Sequence, residues 1–336
     1  MSTLKMDLSS YKDLLKQYIE TQNEQALYRA EQFSKHSIQQ NISPDEIVDV
    51  HVQALSELYP DIPDNIMNSM NFLLETMISY GLAYQEYQAL REKQYELQSE
   101  ISVAANMQDT LLSTTKPNLE GLDIGVTSHP AKQMSGDYYH FVQDQKGSVG
   151  IAVADVIGKG IPAALCMSMI KYSMDSFPDE QMYPSSILEG MNWVVERNVD
   201  PSMFITMFYG LYDQASNHFY YSSAGHEPGF YYSAKNDEFS EIEAKGLVLG
   251  VDRSATYKQY ETLVETGDMI VLLTDGVTEC RAGERFIERD EISDVIHQYK
   301  HLPAQEITEQ VYQHFERLQD FQLRDDFTMV IIRRDV

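Results

Sequence analysis

Acidic residues stand beside stretches that the residue pattern predicts to be buried strands. The acids in question are Asp155, Asp275, Asp325 and Asp326, and a further acid, Asp137, lies in Ser-Gly-Asp-Tyr-Tyr at 135–139. Asp155 directly follows the apolar run 148–154, and Asp275 follows the run 269–273 after one threonine. Asp325 and Asp326 precede the run 327–332. Because neighbouring strands begin and end at common edges of a sheet, we expect these carboxylates to converge at one edge.

Such a cluster of carboxylates points to metal chemistry. Carboxylates a few ångströms apart repel one another unless a cation lies between them. Ligand sets made of oxygen alone favour hard cations such as Mg²⁺ or Mn²⁺. Two such ions can share a water, lower its pKa and direct it at a phosphoryl group. The acids therefore predict a two-ion site for hydrolysis of a phosphate ester.

Each acid also has a structural explanation. Asp275 and Gly276 form a pair that is typical of a turn, and Asp325 or Asp326 can be a solvated strand end. Asp155 is harder to explain in this way because it ends a long apolar run. The occurrence of all these acids in this order favours the chemical interpretation.

The elements that must position the acids occupy residues 120–336. Strand patterns are grouped together there, with helical patterns inserted over 161–176, 184–197, 288–299 and 303–319. This arrangement predicts an α+β fold rather than a doubly wound parallel sheet. The runs 218–222 and 229–232 bracket a turn with glycine and proline, which predicts a β-hairpin.

Residues 1–81 predict a separate all-α bundle of about four helices. Within it, Ser43 can cap a helix, Pro44 suits the first helical position and Glu46 completes a capping box. No spacing of catalytic residues occurs here. The bundle therefore has a structural or oligomerising role, or a ligand-binding one.

Residues 82–119 predict a helical linker with a coiled-coil pattern. Two interleaved sets of residues each repeat every seven positions. They are Tyr87, Gln94, Ile101 and Gln108, and Leu90, Leu97, Ala104 and Leu111. Polar Gln94 and Gln108 and small Ala104 weaken this seam, because they bury little apolar surface. The segment is either a plain linker or an element that pairs only when something upstream stabilises it.

Composition excludes several classes of protein. With 52 acidic and 25 basic residues, the formal net charge is -27, which disfavours nucleic acid and anionic membranes as partners. No uncharged apolar run is long enough to span a membrane, and Met1–Asp7 lacks a signal-peptide core. Two cysteines predict neither a disulfide framework nor a zinc site. We therefore expect a cytoplasmic protein.

Five short motifs together resemble a known family. They are Ser-Gly-Asp-Tyr-Tyr at 135–139, Ala-Asp-Val-Ile-Gly-Lys-Gly at 154–160, Ala-Gly-His-Glu-Pro at 224–228, Thr-Asp-Gly at 274–276 and Asp-Asp-Phe-Thr at 325–328. In order and spacing they resemble the PPM (PP2C-like) phosphatases of the bacterial SpoIIE/RsbU group. The helical bundle and linker in front are similar to the activator phosphatase of the general-stress sigma-factor pathway.

The resemblance implies a PPM-type β-sandwich flanked by helices, with a metal site at one end. The positions that match the metal ligands are Asp155, which bridges both ions, the Val156 carbonyl, Asp275 and Asp325. Asp137 matches an acid that acts through water, and Asp326 is the adjacent alternative to Asp325. The sequence leaves the choice between that pair open.

Other positions depart from eukaryotic relatives. Gly136 replaces a glutamate and Ile157 a histidine, so one ion is expected to be held loosely and water to protonate the leaving group. Lys132 stands where relatives carry a phosphate-binding arginine; it is either a point charge for phosphate or a solvated lysine. His226 either reaches the site or stabilises a turn.

The resemblance also implies a pathway. The expected substrate is a phosphorylated anti-anti-sigma factor of the RsbV type, and an RsbT-like activator is expected to bind the N-terminal bundle of a homodimer. Dephosphorylation would then free a stress sigma factor. The alternatives are a phosphatase for another phosphoprotein and an inactive binding scaffold.

Overall fold

The computed structural model describes residues 8–40, 42–144, 147–158, 160–177, 182–200, 203–283 and 285–335. The chain divides into two compact units, with the division between Ser99 and Glu100. Met1–Asp7 and Lys159, which entered the sequence analysis, lie outside the described residues. Across those described ranges, no helix combines the length and apolar character that crossing a membrane requires.

The N-terminal unit is helical, as predicted. Its helices are α1 (Leu8–Thr21), α2 (Glu24–Gln39), α3 (Pro44–Leu58) and the first part of α4 (Asp64–Leu112). The predicted start of α3 is confirmed, because the Glu46 carboxylate accepts bonds from the Ser43 N–H and hydroxyl. Tyr11 of α1 bonds His51 of α3 at 2.9 Å and lies against the Phe33 ring of α2. These contacts hold the first three helices together.

Helix α4 continues without a break across residue 81, where the sequence suggested a boundary. Five residues of the predicted coiled-coil seam are exposed, namely Tyr87, Leu90, Gln94, Leu97 and Ile101. Gln108, another position of the seam, is instead buried. Its amide bonds the backbone of Ser135 and lies 3.4 Å from the Met167 sulfur. The end of α4 therefore packs within the second unit, and pairing of the seam with a partner helix stays a prediction.

The second unit is a sandwich of two antiparallel sheets with helices outside. One sheet has the order β1 (Leu122–His129), β12 (Phe327–Arg334), β9 (Met269–Leu273), β6 (Gly229–Ser233) and β7 (Glu238–Ile242). The other has the order β2 (Asp137–Gln143), β3 (Val149–Val156), β4 (Ile205–Asp213), β5 (His218–Ala224) and β8 (Tyr260–Leu263). Two short strands, β10 (Arg281–Ala282) and β11 (Arg285–Phe286), form a separate pair.

The helices cover both outer faces of the sandwich. They are α5 (Ile161–Met174), α6 (Pro184–Asn198), the short α7 (Asp275–Thr278), α8 (Arg289–Tyr299) and α9 (Ala304–Leu318). Along β3, Ile151 and Val153 belong to the core between the sheets, whereas Ala152 and Ala154 belong to the core beneath α5 and α6. Because both faces are buried, β3 has a continuous apolar sequence instead of an alternating one. The α+β sandwich predicted from the sequence is confirmed.

The predicted hairpin of 218–222 with 229–232 is wrong. Strand β5 pairs with β4 and β8, whereas β6 pairs with β7 and β9 in the opposite sheet. The four residues 225–228 carry the chain from one sheet to the other, beginning at Gly225 with a left-handed φ of 68°. This φ favours glycine, and the crossing places His226 between the sheets.

Candidate active site

Asp137 and Asp155 lie directly opposite each other on β2 and β3. Asp137 is buried, and the Thr274 hydroxyl donates to its Oδ2 at 2.6 Å. Asp155 is half-buried and stands opposite Thr206 of β4 on its other side. Contrary to the sequence-based expectation, β3 continues through Asp155 to Val156. The register thus places two carboxylates side by side at one end of this sheet.

Asp326 fixes the loop between β1 and β2. Its Oδ1 accepts the Ala131 N–H at 2.7 Å and its Oδ2 accepts the Gly136 N–H at 2.5 Å. The Asp326 side chain is buried, whereas Asp325 is half-buried and accepts the Asp326 N–H at 3.0 Å. The two adjacent acids therefore differ in what their carboxylates contact.

Asp275 begins α7, directly after β9 and Thr274. The next residue, Gly276, packs closely against Asp326, the residue just before β12. A Cβ added to Gly276 would lie 1.8 Å from the Asp326 carbonyl oxygen. This close approach holds the Asp275 turn against the 325–326 segment, so the two acidic segments are neighbours although they are about fifty residues apart in the chain.

The acids perturb one another's titration. Burial, helped by the charges of Asp325, Glu279 and Glu227, raises the pKa of Asp275 to about 6. Burial raises the pKa of Asp137 well above its ordinary value; Asp155 and Asp326 add to this shift, and bonds from Thr274 and Thr328 oppose it. Carboxylates crowded in this way resist ionisation unless positive charge is supplied.

The oxygen atoms around Gly136 suit a hard cation. A Cβ on Gly136 would lie 3.4 Å from each of three oxygens, Asp155 Oδ1, Asp326 Oδ2 and the Gly158 carbonyl. Among the described residues, no three His, Cys, Asp or Glu side chains converge enough to hold an ion by themselves. Mg²⁺ needs no such group, because it keeps several waters and commonly takes one or two carboxylates. The donors present therefore fit a hydrated divalent ion.

We predict that Asp275→Asn stabilises the metal-free protein near neutral pH. The pKa of Asp275 is about 6 when folded and 3.8 ordinarily, so stability from its protonated form is full below 3.8 and is lost as pH rises past about 6. Asparagine does not ionise, so the variant does not lose this stability as the pH rises. Urea unfolding in chelator at about pH 8 should show a more stable variant, with a smaller difference at about pH 4. If the parent and the variant were equally stable at both pH values, the result would contradict the crowding of these acids.

The remaining predicted residues have different surroundings. Lys132 is exposed on the β1–β2 loop and, within the described residues, forms no hydrogen bond or ion pair, so its contact with phosphate stays a prediction. His226 is buried and bonds Thr206 and the Leu273 carbonyl. Sequence reasoning missed the roles of Thr206 and Thr274. Thr274 had a signal, since it precedes Asp275 in a motif; Thr206 had none.

Comparison with known proteins identifies the family. Residues 145–335 match the model of "Stage II sporulation protein E (SpoIIE)", and residues 9–83 match "Phosphoserine phosphatase RsbU, N-terminal domain". The chain is 55% identical over 326 residues to "Phosphoserine phosphatase RsbU" of Bacillus subtilis, covering 97% of both proteins. The chain belongs to the SpoIIE family of phosphatases.

Solved structures share the fold of the second unit. The SiaA-PP2C domain of Pseudomonas aeruginosa has a TM-score of 0.62 at 18% identity, covering 73% of this chain and 98% of that one. The RsbU and RsbW domains of Rv1364c from Mycobacterium tuberculosis give 0.57 at 22% identity, covering 67% and 64%. The second unit thus has a PP2C-type fold, and the chain is an RsbU-like serine phosphatase.

Proposed function

We propose that this phosphatase hydrolyses phosphoserine or phosphothreonine in a protein, with two Mg²⁺ or Mn²⁺ ions at the acid cluster. The observation that carries the proposal is the pairing of Asp137 with Asp155 across two strands, beside the packed segments that hold Asp275 and Asp325. Carboxylates crowded in this way repel one another, and bound cations offset that repulsion. The crowding is therefore expected where ions bind.

The proposed ligands follow the resemblance and the geometry together. They are Asp155, the Val156 carbonyl, Asp275 and Asp325, with Asp137 acting through a water molecule. We prefer Asp325 to Asp326 because both Asp326 oxygens already accept backbone N–H groups. When bound, the ions supply a water of lowered pKa and positive charge for the phosphoryl oxygens.

The chain's own residues then orient the reactants. Thr274 fixes the rotamer of Asp137 through its 2.6 Å bond, so a water held by Asp137 has a defined position. Lys132, exposed on the neighbouring loop, can follow the phosphate as a flexible point charge. Ile157 is exposed and cannot donate a proton, so solvent protonates the leaving alkoxide.

We propose a phosphorylated anti-anti-sigma factor of the RsbV type as the substrate. Supporting this, the likeness to the Bacillus subtilis phosphatase extends over 97% of both chains and so includes the N-terminal region as well as the catalytic one. A catalytic domain reused for another substrate would not require the same N-terminal domain. A different phosphoprotein remains the alternative, because a likeness of sequence does not identify the substrate.

Regulation is proposed to enter through the N-terminal region. We propose a regulatory and dimerising domain at 1–81, a linker at 82–119 that pairs with a second copy, and a phosphatase domain at 120–336. An RsbT-like activator would bind the first of these. Near the end of α4, Gln108 bonds both the Ser135 carbonyl and N–H, two residues from Asp137. A change in this helix can therefore alter the loop that leads into Asp137, and ordering of residues 154–170 would complete the ion site.

Rates measured on the full chain test these proposals. The phosphorylated anti-anti-sigma factor should lose phosphate in Mn²⁺ faster than an unrelated phosphoserine protein, and added activator should raise kcat and lower the Mn²⁺ concentration needed. Equal rates for the two phosphoproteins would reject the anti-anti-sigma factor as the specific substrate. An activator that changes neither quantity would reject this route of control, while leaving the phosphatase reaction intact.

A further inference from the structure

His226 spans the two sheets at the end where the acids lie. Its imidazole is buried, with Nδ1 2.9 Å from the Thr206 hydroxyl and Nε2 3.1 Å from the Leu273 carbonyl oxygen. Thr206 belongs to β4 of one sheet, and Leu273 ends β9 of the other. One rigid ring therefore makes a polar contact with each sheet.

The two partners determine the tautomer of the ring. A carbonyl oxygen can only accept, so Nε2 carries the hydrogen and donates it to Leu273. Nδ1 is then the acceptor in the neutral ring, and the Thr206 hydroxyl donates to it. Burial lowers the pKa of His226 to about 4, so the ring is neutral at physiological pH. Both ring nitrogens are thus fully used.

The turn that contains His226 is also held through its backbone. The Ser223 hydroxyl accepts the His226 N–H at 3.0 Å and bonds the His226 carbonyl at 3.2 Å. These bonds use only the backbone of His226. Ser223 therefore holds the turn through the backbone, and the imidazole adds contacts beyond it, to Thr206 of β4 and Leu273 of β9.

Each partner of the ring is directly connected to an acid. Thr206 stands opposite Asp155 in the β3–β4 ladder. Leu273 is followed by Thr274, which bonds Asp137, and then by Asp275. The imidazole therefore links the strand beside Asp155 to the strand end that leads into Asp275. A ring has no internal torsions, so the distance between its two nitrogens cannot change.

We propose that His226 is a positioning residue that sets the separation of Asp155 and Asp275, and with it the affinity of the ions between them. This rests on the proposed metal-dependent reaction. Residues that orient metal ligands from outside the coordination shell typically change affinity or activity by about 10–100-fold when replaced. His226 would act in this way through Thr206 and Leu273, without contacting substrate.

Two variants test the link from its two sides. His226→Gln retains a donor and an acceptor but replaces the rigid ring by a flexible side chain, so the spacing of the Thr206 and Leu273 contacts is no longer fixed, whereas Thr206→Val removes the hydroxyl donor. In the full chain, calorimetric titration should show Mn²⁺ bound roughly 10-fold more weakly by each. We expect kcat for an aryl phosphate to fall similarly, with KM little changed. The double variant should lose no more than either single one, and Thr206→Ser should restore affinity.

Asn192→Ala is the matched control. Asn192 is also buried, and its amide also makes two bonds, to the Asp252 carbonyl and the Gly250 N–H, but in α6. It should lower the melting temperature without changing Mn²⁺ affinity. If His226→Gln fails to melt cooperatively, Thr206→Val, which exchanges a hydroxyl for a methyl, carries the test.

The outcomes separate this inference from the proposed reaction. Unchanged Mn²⁺ affinity in a folded Thr206→Val or His226→Gln protein, whatever its melting temperature, overturns the positioning role alone. A parent protein that binds no Mn²⁺ overturns the proposed reaction and this inference with it. Weaker binding in both variants, rescue by serine and an unaffected Asn192→Ala protein support it.

Discussion

Replacing Asp155 by asparagine is expected to lower Mn²⁺-dependent hydrolysis of an aryl phosphate by about 10³-fold. Asp155 lies opposite Asp137 and faces the oxygen-lined space beside Gly136. Asparagine keeps the size of the side chain but removes the negative charge that two ions would share. Because Asp155 is half-buried, the fold should tolerate the change. Initial rates at saturating Mn²⁺, divided by the folded fraction, give the comparison.

Asp268→Asn serves as the control for Asp155→Asn. Like Asp155, Asp268 is an aspartate of the sandwich. It lies just before β9, whereas Asp275 lies beyond the other end of that strand. It accepts the Ala234 and Glu265 N–H groups at 2.8 Å each. This variant should be less stable yet hydrolyse the aryl phosphate within about threefold of the parent rate. An Asp155→Asn protein as active as the Asp268→Asn protein would exclude Asp155 from the reaction.

The second large effect is expected to separate Asp325 from Asp326. Asp325→Asn should reduce turnover by about 10²-fold or more at an unchanged melting temperature, since the proposed ligand loses its charge. Asp326→Asn should instead lower stability by about 2 kcal/mol, because its carboxylate accepts two backbone N–H groups and an amide NH₂ cannot. Thermal unfolding and Mn²⁺ titration of both proteins give the two readouts.

The reverse result would exchange the two assignments. If Asp326→Asn abolished Mn²⁺ binding in a folded protein and Asp325→Asn left it intact, Asp326 would be the ligand. Its bonds to Ala131 and Gly136 would then orient a metal-binding carboxylate instead of only fixing the loop. The two adjacent residues make matched controls, since each variant changes one oxygen to an NH₂ group at neighbouring positions.

The acids were predictable because their strands are buried on both faces. Helices cover the outer side of β3, so its apolar run 149–154 is unbroken, and the charge at Asp155 stands out against it. The same holds for β9, in which every residue from Met269 to Leu273 is buried. Polar residues next to such runs are conspicuous, and the sequence alone therefore indicated which acids lie at this end of the sandwich.

Pairing between distant strands was not predictable in the same way. The 218–222 and 229–232 runs flank a turn with glycine and proline as the strands of a hairpin would, yet β5 and β6 belong to opposite sheets. Which strand each one joins depends on residues such as Val271, opposite Phe230, that are distant in the chain. Short exposed strands such as β8 carry too few apolar residues to be recognised. Local pattern reveals a strand but not its neighbour.

The polar contacts that hold the acids in place could not be predicted from the sequence either. Gln108 looked like a weak coiled-coil position because its spacing fits a heptad, but its amide is used by the Ser135 backbone. His226 and Thr206 are twenty residues apart, and nothing in their local sequence links them. Hydrogen bonds of this kind depend on register across the whole sandwich. A motif can therefore identify the acids without identifying what positions them.

A crystal structure of the full chain with Mn²⁺, with the ions located by anomalous scattering, tests the central claim most directly. The account predicts ions bonded to Asp155, with Asp275 and Asp325 completing the sites and water in the remaining positions. Manganese found elsewhere, or absent from this end of the sandwich while Asp155 and Asp275 stay too far apart to share ions, would contradict it.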